Sequence, residues 1–439
     1  MNSLLEFFTD PVFRGPTWGT LLMCVSSSLM GVILLLKRRC LLGETLSHAA
    51  YPGIIFGISL FALLFPEQSE GAFFAVLGGA FTTSLLGLKM IEWMERRGKS
   101  SSDAALCFVL ALFFGAGTVA ASALQMALPV WHQQVQTLLF GQAATMTDFH
   151  IVLYAVLTFC VASLLWIGFR PLQALLFDPD FAKASGLRTG LLERAIFWLL
   201  LLSLILGIRS VGVVLMSGMA IAPAIAARQF TDRLQIVFFL AALFGALSGL
   251  FGNILSVLGT VALSTPQEKL TLPTGPAIIL VGAAIALFSL LFAPKRGWIF
   301  RLVRIAGFRI RCLEENILKM FWKKESMTAK QVCKAHRTAI GMVPLVLWRL
   351  KRGGWLESRG MDYILSRDGA KKASSIVRLH RLWELYLASE LGFLNEKVHL
   401  SAEEMEHILT PDLEARLTCL LANPKIDPHD QPIPDRLTL

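Results

Sequence analysis

Up to Pro294 the chain is a succession of apolar runs, most of them close to 20 residues long, and beyond Pro294 the runs stop. A bilayer core of ~30 Å takes about 20 apolar residues per helix, so this pattern commits everything before Pro294 to a membrane. Composition agrees: 55% of the residues are hydrophobic and only 16% charged, against roughly 25% charged in an ordinary soluble protein. That hydrophobicity excludes disorder of the whole chain. Cys24, Cys40, Cys107, Cys160, Cys312, Cys333 and Cys419 are scattered and form no C-x-x-C pair. A secreted disulfide scaffold, a zinc knuckle and a thioredoxin-type motif are therefore excluded.

Nine segments are expected to span, at about 18–36, 46–65, 72–94, 104–127, 150–169, 193–208, 211–228, 234–262 and 275–293. The sixth and seventh share a short connection, as broken helices do. No cleavable signal peptide is evident, because the N-terminus is not basic. Basic residues fall in every second loop: Lys37, Arg38 and Arg39, then Arg96, Arg97 and Lys99, then Lys183 and Arg188, then Arg228 and Arg233. Positive charge marks the cytoplasmic side, which puts the N-terminus outside and the C-terminal part in the cytoplasm. An odd number of spans requires the same.

We therefore divide the chain into a membrane domain at 1–294, a basic linker at 295–312 and two soluble domains at 313–374 and 375–439. The linker carries Lys295, Arg296, Arg301, Arg304, Arg309 and Arg311, which explain much of the net charge of +10. It reads as an anchor beside anionic lipid, or as a protease-accessible hinge.

Ionisable groups inside spans are costly and so are candidates for function. Glu44 and His48 stand four apart at the start of the second span, on one helix face. A carboxylate and an imidazole there suit a divalent transition metal; a satisfied polar pair at the interface is the plainer reading. In FDPDFAKASGLRTG, Asp178 precedes Pro179 and can cap a short helix that Gly186 ends. Such a helix is a docking element or an ordinary interfacial turn. Pro223 interrupts the seventh span, which is tolerated only where protein or a cavity covers the freed carbonyl. Met216 and Met219 read as packing or lipid-facing residues. Gly98-Lys99-Ser100 imitates the end of a phosphate loop, but the required upstream glycine is replaced by Trp93. No nucleotide site is encoded, so ATP-driven transport would need a second chain.

The soluble part alternates differently. Helices are expected over Glu314–Lys324, Thr328–His336 and Met342–Arg352, then a hairpin over Trp355–Leu365. That order is a winged helix-turn-helix. Arg349, Lys351, Arg352 and Arg359 supply charge for phosphates, unless the basic face meets the membrane instead. His380 and Glu384 are four apart, and His399, Glu403, Glu406 and His407 follow at offsets of 0, 4, 7 and 8. Those offsets make one helical stripe. Imidazole and carboxylate without thiolate suit Fe(II) or Mn(II) more than structural zinc; solvated surface charge is the alternative.

The spans resemble the permease of metal-ion ABC importers, the manganese/zinc/iron group. The resemblance rests on LLKRRCLLGETLSHAAYPG, LLFGQ, FDPDFAKASG, VGVVLMSGMAIAPAIAARQ and LPTGPAIILV, in that order. It implies an all-α polytopic domain of about nine helices in the bacterial inner membrane, paired or homodimeric. It also implies a separate ATPase docked on the loop bearing Asp178, Ala182 and Gly186, and a separate extracytoplasmic metal-binding protein. Glu44 stands where the family has aspartate, which leaves metal preference, Zn(II) included, open. The tail resembles the DtxR/MntR family of metal-dependent repressors through YILSRDGAKKA, HRLWE, VHLSAEEMEH and DPHDQPIP. That likeness implies one metal site at His380, Glu384 and His399 and another at Glu403, Glu406 and His407. The usual N-terminal ligand falls on Asn316, a weak ligand. Pro344 and Leu345 replace small polar residues of the recognition helix, shifting readout to Arg349 and the wing. As a whole the chain resembles the chlamydial fusion of a metal permease with such a repressor.

The implied function is import of Fe(II) or Mn(II) coupled to metal-dependent repression at operator DNA, with release of the repressor by proteolysis within about 295–315 as a further expectation. Two other classes stay open: a membrane sensor that transports nothing, and a permease whose tail only regulates transport.

Overall fold

The computed structural model describes residues 6–65, 71–141, 143–263, 272–336, 341–390, 407 and 411–435. It divides into two compact units, Met1–Phe300 and Arg301–Leu439.

The first unit is helical: α1 (Glu6–Thr9), α2 (Pro11–Leu36), α3 (Cys40–Leu64), α4 (Ala72–Arg96), α5 (Ser102–Ala127), α6 (Pro129–Phe140), α7 (Asp148–Ile167), α8 (Phe169–Phe177), α9 (Pro179–Ala184), α10 (Thr189–Val211), α11 (Met216–Phe230), α12 (Leu234–Leu263) and α13 (Thr274–Phe292). Asp10 caps α2, accepting from Val12 N at 2.8 Å. Helices α2 and α3 are the most enclosed. Small residues let backbones meet in the middle of the bundle: a Cβ on Gly31 of α2 would lie 1.8 Å from the Ala220 carbonyl oxygen of α11. Several serines and threonines in these helices return their hydroxyls to carbonyls of the preceding turn, as Ser47 does to Gly43 at 2.9 Å. Apolar surroundings leave them few other acceptors.

Eight described helices are long and apolar enough to cross a membrane, and the expected seventh span is not among them. It is α11, 15 residues and ~22 Å at 1.5 Å per residue. The turn at 212–215 that precedes it is tied to the end of α6, with Val213 N donating to Leu138 O at 3.1 Å. Gly141 and Gly212, at φ +77° and +96°, make this junction: a Cβ on Gly141 would lie 2.5 Å from the Val211 carbonyl carbon. The broken connection expected between the sixth and seventh spans is thus made at Gly212, whose positive φ lets the chain turn against Gly141 at the end of α6.

Ion pairs mark the two ends of the bundle. Lys37 reaches Glu193 at 3.8 Å and Arg39 reaches Glu95 at 3.2 Å, so the basic loops share one end. Arg14 pairs with Asp148 at the other. Asp232, after α11, takes Lys295 at 3.2 Å and Arg296 at 2.5 Å, which returns the end of α13 to the basic end. Those two cations hold the Asp232 carboxyl below its ordinary range, the hydrogen bond from Lys295 counting most.

The second unit is entered through α14 (Trp298–Lys323), a single 26-residue helix. The stretch expected as a linker is therefore helical from Trp298 onward, and between α13 and α14 only 293–297 is not helical. Then follow β1 (Met327–Thr328), α15 (Ala329–Ala335), α16 (Val343–Arg352), β2 (Leu356–Arg359), β3 (Asp362–Leu365), α17 (Arg367–Ser389) and α18 (Pro411–Leu420). The hairpin turns at Gly360, φ +64°, and pairs Leu356 with Leu365 and Arg359 with Asp362. Strand β1 adds to β3, giving the order β1-β3-β2, a third strand the alternation of the sequence did not announce. Thr328 and Gln331 cap α15 reciprocally, at 3.3 and 2.9 Å. Ile317, Phe321, Val332, Val346, Leu350 and Leu356 close the core.

Candidate metal-handling sites

Glu44 and His48 lie on α3, one turn apart and on one face. His48 is 7% exposed, its ring edge-on to Phe114 at 4.7 Å. Its Nδ1 is buried with no hydrogen-bond partner among the described residues. Glu44 is half-buried. An unsatisfied imidazole nitrogen one turn from a carboxylate, inside a bundle, is a donor pair with spare capacity. Met216 and Met219 are fully buried in the helix bundle, away from lipid.

The loop at 177–186 folds locally. Asp178 accepts from Phe181 N at 2.9 Å and caps α9. Ala182 is fully buried, and Gly186 at φ +74° ends the turn. Phe177 and Phe181, each 62% exposed, stand out from it. The loop thus presents two exposed aromatic rings beside a short capped helix.

In the second unit His380 and Glu384 meet on α17, Nε2 to Oε1 at 3.1 Å, both buried. His407 meets Glu315 of α14, Nδ1 to Oε2 at 2.5 Å. His399, Glu403 and Glu406 lie outside the described residues. Among the described residues no three His, Cys, Asp or Glu side chains group together. What the fold does bring together are two imidazole–carboxylate pairs, one within α17 and one joining α14 to residue 407. The residue on His407 is Glu315, next to Asn316, the position on which the resemblance places the usual N-terminal ligand. Nitrogen and oxygen donors held in buried pairs fit a hard or borderline divalent cation.

The terminal DPHDQPIP segment is stapled to α17. Arg378, 5% exposed, reaches Glu414 Oε1 at 3.2 Å, Pro434 O at 2.7 Å and Thr418 Oγ1 at 3.3 Å. Arg381 reaches Asp427 Oδ2 at 3.4 Å, and Asp427 Oδ1 accepts from His429 N and Gln431 N at 2.9 and 2.8 Å.

Arg349, Lys351, Arg352 and Arg359 are all exposed. Arg349 is not idle: its Nε lies 2.9 Å from Glu314 Oε1. Pro344, Leu345 and Trp348 share the exposed side of α16, and Arg352 stacks over Trp348 at 5.2 Å.

The description "ABC 3 transport family" matches residues 10–293. A probable metal transport system membrane protein of Chlamydia pneumoniae is 37% identical across 98% of this chain and 98% of its own length. The chain belongs to the ABC 3 transport family. Within the ABC 3 family it also resembles the manganese transport system membrane protein MntC of Bacillus subtilis, 30% identical over 86% of this chain and 84% of that protein. The structure of PsaBC from Streptococcus pneumoniae in complex with Fab shares the fold, at 21% identity and a TM-score of 0.56, covering 69% of this chain and all of that one. Residues 366–435 match a second description, "Iron dependent repressor, metal binding and dimerisation domain". An ABC 3 permease joined to a repressor-type domain, as the motifs implied, is therefore what this chain is. It is a multi-pass membrane protein whose relatives are membrane components of transport systems.

Four features escaped the sequence reading. Glu315 sits beside a charged neighbour and carries no spacing signal toward residue 407. Trp348 could have been found, because it lies four residues from Pro344 on the helix face already under scrutiny. Arg209 and His150, which line a cavity of about 1020 Å³, stand near span ends, where polar residues attract little notice.

Proposed function

We propose that this chain is the permease subunit of an ABC importer for Fe(II) or Mn(II), with a C-terminal domain that senses the same metal and represses transcription. One observation carries the reading: a single chain joins an ABC 3 permease to a repressor-type metal-binding domain in which His380–Glu384 and His407–Glu315 already pair. The manganese relative and the iron-dependent repressor description both support a first-row divalent cargo.

In the membrane unit Glu44 and His48 supply the donors that pass the cation along. Asp178 and Gly186 hold Ala182 and the exposed rings in a loop shaped to receive a separate ATPase on the cytoplasmic side. A metal-binding protein delivers cargo at the opposite end, and two permease subunits pair. In the second unit His380, Glu384, His399, Glu403, Glu406 and His407 hold the regulatory metal, with Glu315 as an added carboxylate. Bound there, Fe(II) or Mn(II) would neutralise carboxylates that otherwise repel one another. Arg349, Lys351, Arg352 and the wing residue Arg359 then face operator phosphates. Metal favours the DNA-competent population because it binds that population better.

Proteolytic release of the repressor within about 295–315 would require local opening of α14 or of the turn before it, which Lys295 and Arg296 tie to Asp232. A protease needs an extended substrate, and α14 is helical from Trp298. Immunoblotting of native cells for a soluble C-terminal fragment tests this, and repression by full-length chain alone rejects it.

Two measurements test the whole reading. Vesicles holding the chain and its ATPase should accumulate radioactive manganese or iron, and the chain in nanodiscs should capture its own upstream DNA only with metal present. DNA capture without uptake would identify a sensor. Uptake without capture would identify a tail that regulates transport only.

A further inference from the structure

The end of the bundle remote from the basic loops holds a cavity of about 1020 Å³ between α3, α4, α6, α7 and α10. Arg209 and His150 both line it. They flank one ring: the Arg209 guanidinium carbon is 5.8 Å and the His150 ring 5.5 Å from the centre of Phe73. The Arg209 guanidinium donates to uncharged acceptors, Nη2 reaching Thr145 Oγ1 at 3.2 Å and Thr145 O at 3.4 Å. The described residues place no carboxylate on it, and its Nε is buried without a partner among them. An uncompensated cation within a span is costly and marks function.

His150 is 7% exposed and its protonation is legible from its neighbours. Thr147 N donates to His150 Nδ1 at 3.3 Å, and the Thr147 hydroxyl lies 2.9 Å from the same nitrogen. An Nδ1 that accepts leaves the ring proton on Nε2. That Nε2 is buried and has no partner among the described residues. Both orphaned nitrogens are therefore N–H donors. Two donors, one of them cationic, call for an acceptor oxygen and reject a metal ion.

We propose that this cavity is a binding site for a small organic carboxylate, with Arg209 as its charged anchor and His150 as a second donor. A guanidinium binds carboxylate through charge-assisted hydrogen bonds, and these strengthen away from water. The bound anion offsets the charge of Arg209, which would otherwise repel any cation entering at this end. The permease thus admits its cargo beside a counter-charge instead of against a bare arginine.

Citrate is the probe. The purified full-length chain in phosphatidylcholine nanodiscs should bind citrate saturably in metal-free buffer. Arg209→Met should weaken binding at least tenfold, Arg209→Lys should recover part of it, and His150→Phe should weaken it severalfold. Absence of saturable binding, or an affinity that Arg209→Met leaves unchanged, overturns the proposal. Because the methionine variant can fail to fold, the unmodified chain provides a second reading. Citrate should slow phenylglyoxal modification of Arg209, followed by peptide mass spectrometry, while the exposed Arg97 reacts as before. Equal rates at Arg209 with and without citrate overturn the proposal too. Neither experiment uses metal or ATPase, so failure here leaves the transport reading standing, and the reverse.

Discussion

Glu314 of α14 holds Arg349 of α16, Oε1 to Nε at 2.9 Å, and the next residue along α14, Glu315, holds His407. One helix turn thus touches both the helix proposed to read DNA and the residues proposed to bind metal. Because Arg349 is half exposed, the pair contributes only ~0.2–1 kcal/mol to stability. Glu314→Gln should therefore leave the unfolding midpoint of the second unit nearly unchanged and raise metal-free capture of upstream DNA severalfold, measured by fluorescence anisotropy. Unchanged capture would deny Glu314 any hold on Arg349 in function.

His380→Ala should be the more damaging change. It removes the imidazole that lies 3.1 Å from Glu384, which is 2% exposed, and losing a hydrogen-bond partner of a buried polar group costs ~1–3 kcal/mol. Metal affinity should fall with it. His380→Gln, which keeps a donor, should restore much of the stability and little of the affinity. Urea unfolding and metal titration of the nanodisc-held chain separate the two.

For Glu44, chain length is the variable. Glu44→Asp keeps the charge and should retain uptake with an altered preference between manganese and iron. Glu44→Gln and His48→Phe should each cut uptake at least tenfold without loss of expressed protein. Uptake unchanged in His48→Phe would remove α3 from the cation path.

Lys372 gives the second unit a pH dependence. Its ammonium lies 3.3 Å from the centre of the Trp355 ring. Burial, the largest influence, lowers its pKa from 10.5, against the opposing pull of Glu315 and Glu314. The unfolded chain then keeps this proton to higher pH than the folded one. Stability should rise as pH climbs through the folded value and level off above 10.5. Lys372→Met should flatten that rise in urea unfolding followed by tryptophan fluorescence.

Gly141→Ala tests the junction before α11. At φ +77° an alanine is strained by ~1–3 kcal/mol, and its Cβ would also strike the Val211 backbone. The melting temperature in detergent should drop markedly. Gly78→Ala on α4 has open space around it and should leave melting unchanged.

Much of this architecture could be read before any coordinates. Apolar runs report helix length directly, because the bilayer sets it. The Asp178 cap, the Gly360 turn and the Thr328 start of α15 are equally local, each depending on residues within four positions. At α11 hydropathy gave the span but not its shape: the helix has only 15 residues, because apolar periodicity does not register Gly212, where the chain breaks.

The amino-acid sequence by itself determined the two-part organisation, the histidine and carboxylate residues proposed as donors and the basic end of the bundle. These follow from periodicity and charge along the chain. Only the tertiary structure decided that Glu315 meets His407, that Glu314 occupies Arg349, and that Arg209 and His150 share one cavity. Glu315 and His407 are 92 residues apart. No spacing rule reaches that far, and side chains so separated meet only because packing of their helices excludes the alternatives.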